Sequence, residues 1–294
     1  MSVADSFFNV LAFSLAFALV GLGVFLAHKI FKITDLTCEA SFALGGCTYG
    51  TLVVFGFSPV VAMIIAMCLG YFAGFVTSSF INYIQIDSVV AGLITVGGIQ
   101  TILLKISSGR FEELIGNSII GNISPWNNLI IAFFIVGVFA FLFYRLMESE
   151  YGLSMRLAGN GMLISESMGV DSLGIVQFGL GLENALCALS GALVVQISGH
   201  FTPNMGSGIL IFGLASIMIG EKLFKVSGIK TAVISSFLGA LAYQCAIKML
   251  TYDGVYAMGE EYNSLILAFT LIMLVALRQD SSQKTCSKII RSLK

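Results

Sequence analysis

Long apolar runs follow one another along this chain, separated by short polar breaks. A span needs about 20 mostly apolar residues to cross about 30 Å of hydrocarbon. Runs of roughly that kind fall at 7–27, 38–56, 59–82, 88–104, 129–146, 172–197, 207–220, 231–250 and 263–277. The pattern predicts an all-α integral membrane protein of about nine transmembrane helices. The Gly45-Gly46 and Gly97-Gly98 pairs read as possible interruptions, since small residues both weaken helices and let them pack closely in lipid. Residues 1–277 form one membrane domain, and 278–294 a basic tail with five basic residues and one acid. Residues 1–27 contain Asp5 and no Lys or Arg, so the first run is expected to be a retained span, not a cleaved leader.

Composition agrees with the pattern. Of 294 residues, 57% are hydrophobic and only 11% charged, against about 25% charged in soluble domains. Mean hydropathy is +0.96. A net charge of −1 gives no signal for nucleic acid. The six cysteines form no C-x-x-C pair and there are only two histidines, so no metal centre is expected.

Charge asymmetry sets the expected orientation. With the N-terminus outside, twelve of the 15 Lys and Arg residues fall on the cytoplasmic side. Only Lys105, Arg110 and Lys248 stay outside, and Lys248 sits near enough to a span end to snorkel. Two loops are long. The outer one, 105–128, carries amphipathic Phe111–Ile115 and the lone Trp126, and reads either as a covering loop or as a short interfacial helix with Trp126 as a headgroup anchor. The inner one, 147–171, reads polar and helical, with Arg156, Glu166 and several glycines, and offers a docking surface.

Catalytic signatures are missing. There is no phosphate-binding G-x-x-x-x-G-K-[ST] loop, no H-E-x-x-H and no G-x-S-x-G. Channel filter and voltage-sensor patterns are missing too. Glu183 is the clear ionisable residue deep in a span, with Asn184 beside it. It either lines a solute path or is a neutral acid bonded to a neighbouring helix. Gln100, Gln177, Gln196 and Gln244 read as links between helices.

Three stretches resemble a known group. Asp35-Leu36-Thr37 with Glu39, Ser41, Phe42, Leu44 and Gly45 resembles D-L-[ST]-x-[DE]-G-S-F-x-L-G, with Ala40 in place of the first Gly. Gly152, Arg156, Gly159 and Asn160 resemble G-x-x-x-R-A-x-G-N-N, with Leu157 and Gly161 as departures. The longest begins at Asn184-Ala185-Leu186 and runs through Ala188–Leu193 and Gln196 to Gly213-Leu214-Ala215 and Ile219-Gly220-Glu221. It resembles S-N-A-L-x-A-L-S-G-A-L-x-x-Q followed by G-L-A-x-x-x-I-G-E. These segments are similar to permeases of ABC importers of the branched-chain amino acid and ribose type, and to the group assigned to aromatic and other amino acids.

The resemblance implies a type II importer-like fold in the bacterial cytoplasmic membrane. Two permease chains, expected here as a homodimer, would form the pore. A separate cytoplasmic ATPase would use ATP, this chain binding no cofactor itself, and an extracytoplasmic binding protein would deliver an amino acid or similar solute. The inner loop would supply the coupling helix, with Arg156 and Glu166 contacting the ATPase and Gly159 and Asn160 turning the chain. Ser41, Gly45, Gly46, Glu183 and Asn184 are the expected translocation residues. Glycines 45, 46, 191, 206, 208 and 213 would let spans slide. Glu183 stands where the group commonly has Ser. An ion-coupled secondary transporter using Glu183 is the competing reading.

Overall fold

The computed structural model describes residues 3–106, 125–224 and 228–250. The amphipathic stretch Phe111–Ile115, the last apolar run at 263–277 and the basic tail lie outside them. The described residues form ten α-helices in the order α1 (Val3–Phe25), α2 (Thr37–Val54), α3 (Pro59–Tyr83), α4 (Ser88–Ile106), α5 (Pro125–Glu148), α6 (Glu150–Asn160), α7 (Met162–Ser167), α8 (Ser172–Ser198), α9 (Ile209–Leu223) and α10 (Ile229–Leu250). A π-helical turn, Leu26–Phe31, extends α1.

Several helix ends have a local reason. Pro59 and Pro125 open α3 and α5, where a missing N–H costs nothing. Asp171 caps α8 by accepting a hydrogen bond from the Gly174 N–H at 3.2 Å. Gly199, left-handed at φ 74°, ends it. Among the described residues, five helices are long and apolar enough to cross a membrane by length and composition: α1 with its π turn, α3, α4, α5 and α8. The second, α2, is too rich in Gly, Ser, Thr and Cys to join them, because protein surrounds it on several sides.

The eighth helix is the axis of the fold. Its apolar window is 83% buried, against 17% for α5, which faces outward. α1, α2 and α3 all pack on α8. α2 and α8 run side by side in the same direction and touch backbone to backbone. A Cβ on Gly45 would collide with the Ala188 carbonyl, and one on Gly191 with the Phe42 carbonyl. This explains why Gly45-Gly46 does not break α2: these glycines make room for a neighbour. Gly97-Gly98 likewise lies within a continuous α4.

Interruption occurs elsewhere. After α8 the chain does not start its next helix at the end of the bundle where α8 finishes. Phe201 lies against Gly50 near the C-terminal end of α2, Met205 against Gly46, and Gly206 against the Glu39 carbonyl. From Gly50 back to Glu39 is eleven residues of α2, about 16 Å at 1.5 Å per residue. The non-helical segment 199–208 therefore descends through about half the hydrocarbon thickness. Only there does α9 begin, and its 15 residues reach about 22 Å. The irregular bend at 32–36 is also raised. Asp35 meets Asn184, twelve residues beyond the first residue of α8.

Candidate functional site

Polar side chains cross the packed interior as one connected set. Asp35, at the foot of α2, is 1% exposed. Its carboxylate accepts the Thr37 N–H at 2.8 Å and an Asn184 Nδ2–H at 2.7 Å. Asn184 Nδ2 also donates to the Leu180 carbonyl at 2.9 Å, while its Oδ1 accepts the Ser41 hydroxyl at 2.7 Å. The Thr37 and Thr77 hydroxyls are 2.8 Å apart, and Thr77 donates to Thr95 at 3.0 Å. One line of hydrogen bonds thus joins α8, α2, α3 and α4. Buried polar groups left unpaired are costly, so these partners specify how the four helices meet.

Glu39 makes a second link. Its Oε1 accepts the Gly208 N–H at 3.2 Å, and the Leu210 N–H also points to this carboxylate. It sits at the start of α9, where the unpaired N–H groups and the helix dipole favour a negative charge. Two acids therefore satisfy two helix starts inside the protein, Asp35 at α2 and Glu39 at α9. Hydropathy alone places Asp35 before a span and Glu39 at its very start, and singles out Glu183 as the acid deep in a run.

Glu183 is the exception among these acids. It is fully buried, and neither carboxyl oxygen has a hydrogen-bond partner. Gly23 of α1 faces it; a Cβ there would approach its side chain and its carbonyl. Its titratable neighbours are Asp35, Cys38 and Cys187. Both cysteines are free thiols. Among the described residues no group of three His, Cys, Asp or Glu side chains is arranged to hold a metal ion.

The residues expected to line a path are thus brought together, but enclosed. Ser41, Gly45, Gly46, Glu183 and Asn184 are all buried along the α2–α8 seam. Among the described residues, exposed polar side chains lie on α4 and the descending segment, next to exposed apolar Leu93, Ile94, Ile102 and Leu104 of α4. Gln100 Nε2 donates to Asn204 Oδ1 at 2.6 Å, Thr101 and Ser207 are exposed, and methyl groups added to Gly97 or Gly98 would meet nothing within 4 Å.

At the other end of the bundle, the inner loop folds as α6 and α7. Ser149 caps α6, and Gly161, at φ 144°, separates the two helices. Arg156 is turned inward: its guanidinium donates to the Met147 carbonyl at 2.9 Å and fastens α6 to the end of α5. Gly159 packs against the Ile30 carbonyl, where any side chain would collide. Asn160 accepts a hydrogen bond from the Lys32 ammonium at 3.0 Å. Both belong to the last turn of α6, and the change of direction falls on Gly161. Glu166 is exposed, as are Tyr151, Leu153 and Met168. A groove between α6 and the start of α8 is lined by Tyr151, Met155, Asp171, Gly174, Ile175 and Phe178.

This bundle with a fastened pair of short helices at one end can be set beside known proteins. The family described as branched-chain amino acid transport system, permease component, matches residues 6–276. The chain belongs to this family. The permease is 29% identical over 245 residues to a tyrosine transport system permease protein of Clostridioides difficile, covering 81% of each chain. It is 25% identical over 240 residues to an uncharacterised protein of Rickettsia prowazekii, covering 80% of the permease and 85% of the relative. An autoinducer 2 import system permease of Yersinia enterocolitica is 22% identical over 247 residues, covering 80% and 67%. Among solved structures, PsaBC from Streptococcus pneumoniae in complex with Fab shares the fold, with a TM-score of 0.55 at 14% identity over 90% of the permease and 89% of that chain. The permease is the multi-pass membrane component of an ABC-type transport system.

Proposed function

We propose that the permease imports an amino acid, aromatic ones included, across the bacterial cytoplasmic membrane. A separate ATPase docks on α6–α7, and an extracytoplasmic binding protein supplies the solute. Two copies form the pore, each with its N-terminus outside and its C-terminus in the cytoplasm. The permease chain binds no cofactor, and ATP is used by the ATPase. The amino acid reading is supported by the tyrosine transport relative.

The observation that carries the ATPase reading is the construction of the α6–α7 pair. Its inner side is held by Arg156, Gly159 and Asn160, while Tyr151, Leu153, Glu166 and Met168 face outward. A helix pair held that firmly transmits force: closure of the ATPase against its outer face moves α5, α8 and the end of α1 together. Arg156 then acts as a positioning residue and Glu166 as a contact.

The test is affinity purification of the tagged permease from its native membranes in mild detergent, with ATP hydrolysis measured on the eluate. Glu166→Lys combined with Tyr151→Ala is expected to lose the ATPase subunit while keeping the permease folded. Retention of a stoichiometric ATPase by this variant would reject the docking face. An eluate with no ATPase from the native chain would reject the reading as a whole and favour the ion-coupled carrier, whose single support is the unpartnered Glu183. Competition of labelled tyrosine uptake by other amino acids reads the substrate.

A further inference from the structure

Irregular backbone at membrane depth is tolerated where protein buries it or where it borders water, because lipid offers no hydrogen bonds. Segment 199–208 meets both conditions, one on each side. Its inner side is buried: Phe201 and Gly206 pack on α2, and the Gly208 N–H is taken by Glu39. Its outer side is open, with Asn204 and Ser207 exposed. Beside it the outer half of α4 presents Gly97, Gly98 and Thr101, also exposed, and Gln100 bridges the two elements through Asn204. The outward surface around this patch is apolar, on α4 itself (Leu93, Ile94, Ile102 and Leu104 are exposed) as on its neighbours. α3 shows Val60, Ile64 and Phe72, and α5 shows Ile130, Phe133 and Phe134, all exposed. Those are surfaces for acyl chains, whereas amides and hydroxyls there would be costly.

We propose that the face formed by Gln100 and Thr101 of α4 with Asn204 and Ser207 of the descending segment is the solute-contacting surface of the permease, suited to a small zwitterionic or uncharged polar solute. Amide and hydroxyl groups both donate and accept, so they serve an ammonium and a carboxylate alike. No Lys, Arg, Asp or Glu side chain stands among these four. Contacts of this kind hold a solute weakly, and passage requires release as much as binding. The narrow footprint of Gly97 and Gly98 leaves width in front of the polar groups. The Gln100–Asn204 bond also joins α4 to the segment before α9, so a solute that replaces it loosens the two elements from each other. The proposal rests on the transport reading, and not on which ATPase drives it.

The experiment is cysteine substitution in the complete transporter in sealed inside-in vesicles, with a membrane-impermeant, cationic thiol reagent added outside. Thr101→Cys, Asn204→Cys and Ser207→Cys are compared with Phe72→Cys and Phe134→Cys, and the native chain supplies the background from its own cysteines. The three polar positions are expected to react and to lose uptake on reaction, with excess substrate protecting them; the two apolar positions are expected to stay unreactive. Reaction no faster than at Phe134→Cys, with uptake normal before labelling, would overturn the assignment. Gln100→Leu adds a variant without labelling: lower uptake at unchanged permease level is expected, and unchanged uptake would overturn the role of the amide. Failure of the importer reading looks different, because uptake by the native chain would then not depend on ATP.

Discussion

Asn184 is the residue on which most of the interior depends. It gives to Asp35 and to the Leu180 carbonyl and receives from Ser41. Replacing it with Leu strands a carboxylate and a hydroxyl, and each orphaned buried group costs about 1–3 kcal/mol, more when charged. Asn184→Leu is therefore expected to unfold at clearly lower temperature in detergent than the native permease. Glu183 should behave in the opposite way. No partner depends on its oxygens, so Glu183→Gln is expected to leave the unfolding temperature unchanged or raise it. A large loss in that variant would mean that a charge at 183 is paired in the membrane. Sequence pointed to Glu183 because it is the acid that stands inside an apolar run. It could not show that Asp35 and Glu39 are interior as well. They lie beside a break in hydropathy, and only the raised foot of α2 and the raised start of α9 draw them in.

At the level of elements, glycines divide into two kinds that look alike in sequence. Gly45 and Gly191 are sites of backbone contact between α2 and α8, whereas Gly97 and Gly98 face open space. Gly191→Ala is expected to lower the yield of folded permease sharply, as followed by size exclusion of a fluorescent fusion. Gly98→Ala should leave that yield unchanged, because its methyl group meets no neighbour. Span positions were legible almost throughout: apolar runs at 59–82, 88–104 and 172–197 became α3, α4 and α8 with ends shifted by a residue or two. The inner loop was legible as helical, and its division at Gly161 was not. The descent of 199–208 was hidden because hydropathy reports what a residue prefers, not how high in the membrane it stands. Its one trace was the shortness of the run at 207–220.

For the whole molecule, ion pairs tie together helix ends on one side of the bundle. Lys29 at the end of the π turn pairs with Glu221 of α9 at 2.6 Å, and Lys230 of α10 pairs with Glu148 of α5 at 2.8 Å. All four residues lie at the end where α6 and α7 sit, the side that the excess of Lys and Arg assigns to the cytoplasm. Exposed pairs of this kind add little stability, but they collect charge at one face of the bundle. Reporter fusions at the two termini are expected to show the N-terminus outside and the C-terminus inside; the reverse result would invert every assignment of inner and outer loops made above.

The shortened α9 also constrains how the permease is made. Fifteen residues do not cross the bilayer, and the stretch ahead of them is bare backbone that lipid cannot accept. Insertion machinery therefore has no complete unit to release after α8. α9 becomes stable in the membrane once α10 has emerged to pack on it and Glu39, made much earlier, has received its first N–H groups. A ribosome stalled between α9 and α10 should accordingly leave an immature chain that membrane proteases recognise, even though the six spans before α9 are already in place.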